Sequence, residues 1–405
     1  MLEQIINSVT SAGKKLKRNI STLAFSTALA LSSINSPNIL AQDYVPREFD
    51  APVLVDDSRI FSISLALDRE QNKAGIAYIT NKVENGNYVN ELKFKGVMNE
   101  STPSKTLSTA SNPWGSVCSL AFNPETHKPA IANLSRFYSF DGSVWNSQDF
   151  GSLELNSLAF HPKTNQPYIA ANSYGADWNL YLINYDGSNW NTSLLSWGDA
   201  NRESLKFNSR SEFCIAFTTL SWTDHPQNLY YLDLSIPNAF EVKLGDKYSY
   251  PLSNSLAIDK NDGPHISYLD TAGNGLIQYA QWDGNKWQTE TVEDNIVGSW
   301  NNSGANSLLI DSQGRPIITY SSHNGDIRIA TKIGSEWKKQ TITHYNYTEH
   351  SPRIIWPVCV SSVLTERDKI ICAYGLSAGQ DDPNVNGLYL IAEKRALERK
   401  SSTRN

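Results

Sequence analysis

The chain has 405 residues, of which 43 are aromatic (11 Trp, 19 Tyr, 13 Phe), and only 19% are charged. Many aromatics, few charges and 23 Gly favour β structure over helical bundles, and 40% apolar residues exclude a disordered chain. The formal net charge of -6 lacks the broad positive surface of a nucleic-acid binder.

In chain order, the first predicted element is an export signal over residues 1–41. Lys14, Lys15, Lys17 and Arg18 form a basic stretch, and Ile20 to Leu31 is an uncharged, largely apolar run. Small residues follow, with Ala41 as the expected last residue before cleavage. The apolar run is short for a membrane span, and no second stretch is long enough for one. The expected location is therefore secreted or periplasmic, with no integral membrane span after cleavage. The leader removes four basic residues and one acid (Glu3), so the charge of the mature chain falls to -9.

Residues 42–393 read as seven copies of one unit. The clearest copy runs Ser255-Leu-Ala-Ile-Asp259, a turn ending at Pro264, then His265-Ile-Ser-Tyr268. Other copies start at Ser64, Ser119, Ser157, Ser204 and Ser307, with a degenerate one at Ser361. Within the fifth unit, four short strands are predicted: Ser255–Asp259, His265–Tyr268, Leu276–Trp282 and Trp287–Val292. Alternating apolar and β-branched residues bounded by tight turns support each of them. Four antiparallel strands repeated seven times describe an all-β, seven-bladed β-propeller. The seventh unit lacks a fourth strand, whereas Phe49–Asp56, ahead of the first unit, resembles one. An N-terminal strand closing the last blade is therefore expected. Residues 394–405 form a polar, basic tail.

A second motif recurs between third and fourth strands. It reads Asp141-Gly-Ser-Val-Trp145, Asp186-Gly-Ser-Asn-Trp190 and Asp283-Gly-Asn-Lys-Trp287. This resembles a shortened Asp-box, the hairpin motif of sialidase-type propellers. The resemblance implies a structural role, with Asp ordering the turn and Trp packing between strands. A sialidase would also need three arginines converging on a carboxylate. Arg59, Arg136, Arg202 and Arg353 fall in connections on one common face, but none lies in a matching motif. Cys118, Cys214, Cys359 and Cys372 form no CxxC pair and are expected to be buried, with a Cys359–Cys372 disulfide left open.

Candidate binding residues lie in the connections that enter first strands and in those joining second to third strands. Aromatics recur at fixed offsets before the anchoring Ser, as in Phe150, Trp197, Tyr248 and Trp300. Flat rings of this kind stack on a sugar, while nearby polar side chains take its hydroxyls. Trp197, Arg202, Trp300 and Asn301 are the first candidates, joined by Trp222 and His323 from the second set of connections. The same aromatics also suit a structural role as wedges between blades. No metal or cofactor motif is found, so none is expected.

The expected function is a monomeric, exported binding protein that recognises glycans through aromatic-bearing inter-blade loops, or else an extracellular protein. One alternative is a propeller enzyme on carbohydrate, a polysaccharide lyase or a sialidase-like glycosidase. Another is a scaffold for extracellular or periplasmic proteins.

Overall fold

Each repeat folds as predicted into one antiparallel sheet, and seven such four-stranded sheets make up the ring. The computed structural model describes residues 44–97, 104–110, 117–173, 178–196, 200–219, 228–233, 241–242, 251–270, 275–294, 306–322, 326–344, 356–377, 386–394 and 396. All regular elements among them are strands. Blade 5 is representative, with strands Pro251–Ile258, Pro264–Asp270, Leu276–Trp282 and Trp287–Asp294 in sequential order. Its first and second strands are longer than the motif alone suggests. The first begins upstream of Ser255, its ladder running on to Pro251 opposite Asp270 across a β-bulge between Pro251 and Ser253.

The first strands of neighbouring blades contact one another in turn and form the inner ring. The anchoring Ser explains how. Each anchor's hydroxyl oxygen accepts the backbone N–H of the residue after the next blade's anchor. Ser64 takes Leu120, Ser119 takes Leu158, Ser157 takes Leu205 and Ser204 takes Leu256. Ser255 takes Leu308, Ser307 takes Ser362, and Ser361 returns to Leu65. All seven bonds measure between 2.9 and 3.2 Å. A small hydroxyl is needed here because it reaches the neighbouring backbone without separating the blades. The residue that follows is a buried Leu in six of the seven copies and the buried Ser362 in the seventh.

The Asp-Gly-x-x-Trp turns are structural, as the Asp-box resemblance implies. Asp283 accepts the backbone N–H groups of Asn285 and Lys286 at 2.8 and 2.9 Å and the Gln288 amide at 2.7 Å. These bonds, led by that from Gln288, hold the Asp283 carboxyl down at about 2. Gly284 follows at φ +96°, a conformation costly for any side chain. Each Trp then packs edge-on against an aromatic of the preceding blade. The pairs are Phe94–Trp145, Phe137–Trp190, Tyr231–Trp287 and Tyr279–Trp337, with centroids 5.1 to 5.4 Å apart.

Closure uses the N-terminal strand as expected. Val53–Asp56 pairs antiparallel with Gly387–Ala392, and Phe49 bridges to Glu393. The buried Glu393 carboxylate ties the two ends, pairing with Arg47 and Lys369 at 2.6 Å each. Cys118, Cys214 and Cys372 are buried free thiols. Cys372 lies in register with Ser362, and Cys359 with Gly375, so the two cysteines are not opposite one another.

Candidate site at the channel mouth

The residue preceding the anchoring Ser builds a second ring, one step closer to the entry of the first strands. Going round from blade 1 it is Ile63, Cys118, Asn156, Glu203, Asn254, Asn306 and Val360. In blades 2, 5 and 6 these side chains reach back to the preceding blade, whereas Asn156 bonds within its own blade to Glu154 and Asn172. The Cys118 thiol lies 3.5 Å from Ser62 Oγ. Asn254 donates its amide to the Arg202 carbonyl at 2.7 Å, and Asn306 donates to Ser253 Oγ at 2.9 Å. In blades 5 and 6 the column supplies a donor, which Asn provides and an ionised Glu does not.

Glu203 departs from this pattern. It is 5% exposed, and neither carboxyl oxygen makes a hydrogen bond of normal geometry. Burial pushes its carboxyl up to about 7, against the nearby Asn156 amide and with the help of the neighbouring Glu154 charge. Glu154 is raised too, first by burial, while Asn172 and Arg202 pull it down. Arg202, directly before Glu203, is part-buried, and burial lowers its pKa while Glu154 opposes the shift. Among the described residues its guanidinium makes no hydrogen bond or ion pair.

The backbone at this point is irregular in a way that aims these groups. Arg202 adopts φ +56°, and Arg202-Glu203 together face a single residue of the second strand, Phe217. In blade 3 the extra residue is Asn156, again next to the anchor. In blades 1, 5 and 7 the bulge lies farther upstream, around Phe61, Leu252 and Val358. A bulge moved to the anchor re-aims the adjacent side chain, a device common beside functional sites.

The cluster contains further unmatched atoms. Asn172 is fully buried; its oxygen accepts from Asn156, while its amide nitrogen makes no hydrogen bond of normal geometry and lies toward Glu154. Asn254 Oδ1 is likewise buried without a partner. Among the described residues, blades 3, 4 and 5 thus bring together a guanidinium without a hydrogen bond, an amide donor, an amide acceptor and a carboxyl raised toward neutrality. Such a mixed set is rare in a finished core, which makes this cluster the candidate site.

Of the six predicted binding residues, only Arg202 lies among the described residues, and it falls in this cluster. Trp197, Trp222, Trp300, Asn301 and His323 lie outside them. Phe150, from the same aromatic series, packs edge-on against Trp190 at 5.0 Å and serves the core. Arg59 stacks over Phe61, and Arg136 pairs with Asp149. Each is engaged within its own blade. Of the cluster, Glu154 and Glu203 were not singled out from sequence. Stacking the repeats in register exposes Glu203 as the one acid in a column that otherwise holds Asn in blades 3, 5 and 6 and Ile, Cys or Val in blades 1, 2 and 7.

No protein-family model matches the sequence, and no curated protein matches it. Solved structures do resemble it in fold. A protein of unknown function from Dyadobacter fermentans aligns over 86% of this chain and 100% of its own, at 11% identity and TM-score 0.51. The BP39L lectin from Burkholderia pseudomallei aligns over 81% and 99%, at 10% identity and TM-score 0.53. An α-L-arabinofuranosidase from Fusarium graminearum, bound to an iminosugar inhibitor, aligns over 85% and 97%, at 10% identity and TM-score 0.50. At these identities the likeness is one of fold.

Proposed function

We propose that the protein is an exported glycan-binding propeller whose ligand sits at the channel mouth of blades 3 to 5. The observation that carries this reading is the set of buried polar atoms left unmatched around Glu203 and Arg202. Sugar hydroxyls both donate and accept, so one ring can satisfy the guanidinium, the Asn172 amide and the Asn254 oxygen together. Two carboxyl groups beside one guanidinium make a polyanionic ligand a poor fit. A lectin and a glycosidase among proteins of this fold agree with the reading. A glycan array with the wild-type protein, Arg202→Met and Glu203→Asn tests it. Specific binding that both variants lose is the expected result. Wild-type silence on the array, or binding untouched by both variants, overturns it.

A second reading draws on one specific feature. Glu154 and Glu203 are paired carboxyl groups, and the latter is held near neutrality, as a general acid for glycoside cleavage must be. It requires new reducing ends from an oligosaccharide that the array selects, abolished in Glu203→Gln. An uncleaved ligand after prolonged incubation removes this reading and leaves the binding protein.

A further inference from the structure

The opposite face of the ring carries two concavities that the channel mouth does not use. One lies between blades 2 and 3 and encloses about 490 Å³; the other, between blades 1 and 2, encloses about 430 Å³. Both sit where first strands turn into second strands and third into fourth. Their position follows from one repeat column, the second residue of each second strand. The column reads Ala74, Ala130, Tyr168, Cys214, His265, Ile317 and Ile371 from blade 1 to blade 7. The two grooves lie against Ala74 and Ala130. Between blades 3 and 4, Tyr168 occupies the equivalent place, packing on Phe207 at 5.3 Å and on His161 at 5.6 Å. A methyl group therefore opens what a phenol ring fills.

The larger groove has walls from two blades. Phe140 of blade 2 and Tyr185 of blade 3 are half-buried aromatics that line it, with Ser139, Ser147 and Gln166 as neutral polar groups. Its charged residues are already engaged. Lys128 donates to the Asp141 carbonyl, and Glu125 accepts the Asn165 amide. Aromatic walls with uncommitted hydroxyl and amide groups suit a neutral polyol better than an anion. The volume is that of a small-ligand site.

We infer that the groove between blades 2 and 3 is a separate binding site for a single neutral hexopyranose residue, opened by Ala130. This inference does not rest on the channel-mouth reading. A panel of methyl hexopyranosides, followed by saturation-transfer NMR and calorimetry on the full chain, tests it. At least one glycoside is expected to bind wild type. Ala130→Tyr, which copies blade 3, should weaken it at least tenfold, and so should Gln166→Ala combined with Ser147→Ala, which leaves the packing intact. Glu203→Asn should leave this binding unchanged, which separates the two sites. The inference is overturned if no methyl hexopyranoside binds, if both groove variants bind as wild type does, or if Glu203→Asn alone removes binding.

Discussion

Glu203 is the residue on which the site turns, and its energetics can be checked without any ligand. Its carboxyl is held at about 7 in the folded chain, against an ordinary value of 4.5. A raised carboxyl stabilises nothing above that range. The folded state is favoured most below the ordinary value, and the advantage is lost as pH rises toward 7. At pH 8 the penalty is on the order of 3 kcal/mol. Glu203→Asn restores the donor found at Asn254 and Asn306 and removes the buried charge. Its melting temperature should exceed wild type by several degrees at pH 8, with the gain shrinking toward pH 4.5. A gain that is equal at both pH values, or a loss at pH 8, would contradict this assignment. A stabilising change that abolishes binding is the pattern expected where strain is kept for function.

At the scale of the element, the hairpin turn and its Trp make one device. Asp and Gly shape the turn, and the Trp carries it onto the preceding blade. Trp287→Ala removes a ring packed on Tyr231 and Trp282 and should cost about 3–5 kcal/mol in chemical denaturation. Trp287→Phe should recover much of that loss; equal damage from both would mean that packing is not its role. These devices were legible in the sequence because they repeat in register. Ser64, Ser119, Ser157 and their fellows stand out for the same reason, since every blade needs the same bond to its neighbour. The site was legible only through Arg202. Glu203 looks ordinary within Arg202-Glu203-Ser204-Leu205, and its oddity emerges only beside Asn156, Asn254 and Asn306. The bulge that aims it is a matter of register, which no local pattern reveals. Ala130 hides for the opposite reason: an Ala in a strand signals nothing until Tyr168 marks the space it leaves empty.

For the whole molecule, ring closure sets stability. The strand Val53–Asp56 and the Arg47–Glu393 pair join the two ends of the described ring. Removing the residues up to Asp57 opens an edge of blade 7 and strips Glu393 of one of its two cations. A buried carboxylate that loses a partner is costly, and the exposed edge invites association. The melting temperature of the truncated protein should fall by on the order of 10 °C. An unchanged melting curve would mean that closure lies elsewhere. The same ring places two unlike faces back to back: an acid–arginine cluster at the entry of the first strands, and aromatic-walled grooves beyond their exit. The central claim concerns the first of these, and a crystal structure of the wild-type protein with an array-selected oligosaccharide tests it most directly. The account expects a sugar ring at the mouth of blades 3 to 5, with a hydroxyl within hydrogen-bond distance of the Arg202 guanidinium. An oligosaccharide held only in the grooves of the opposite face, with Arg202 and Glu203 untouched, would contradict it.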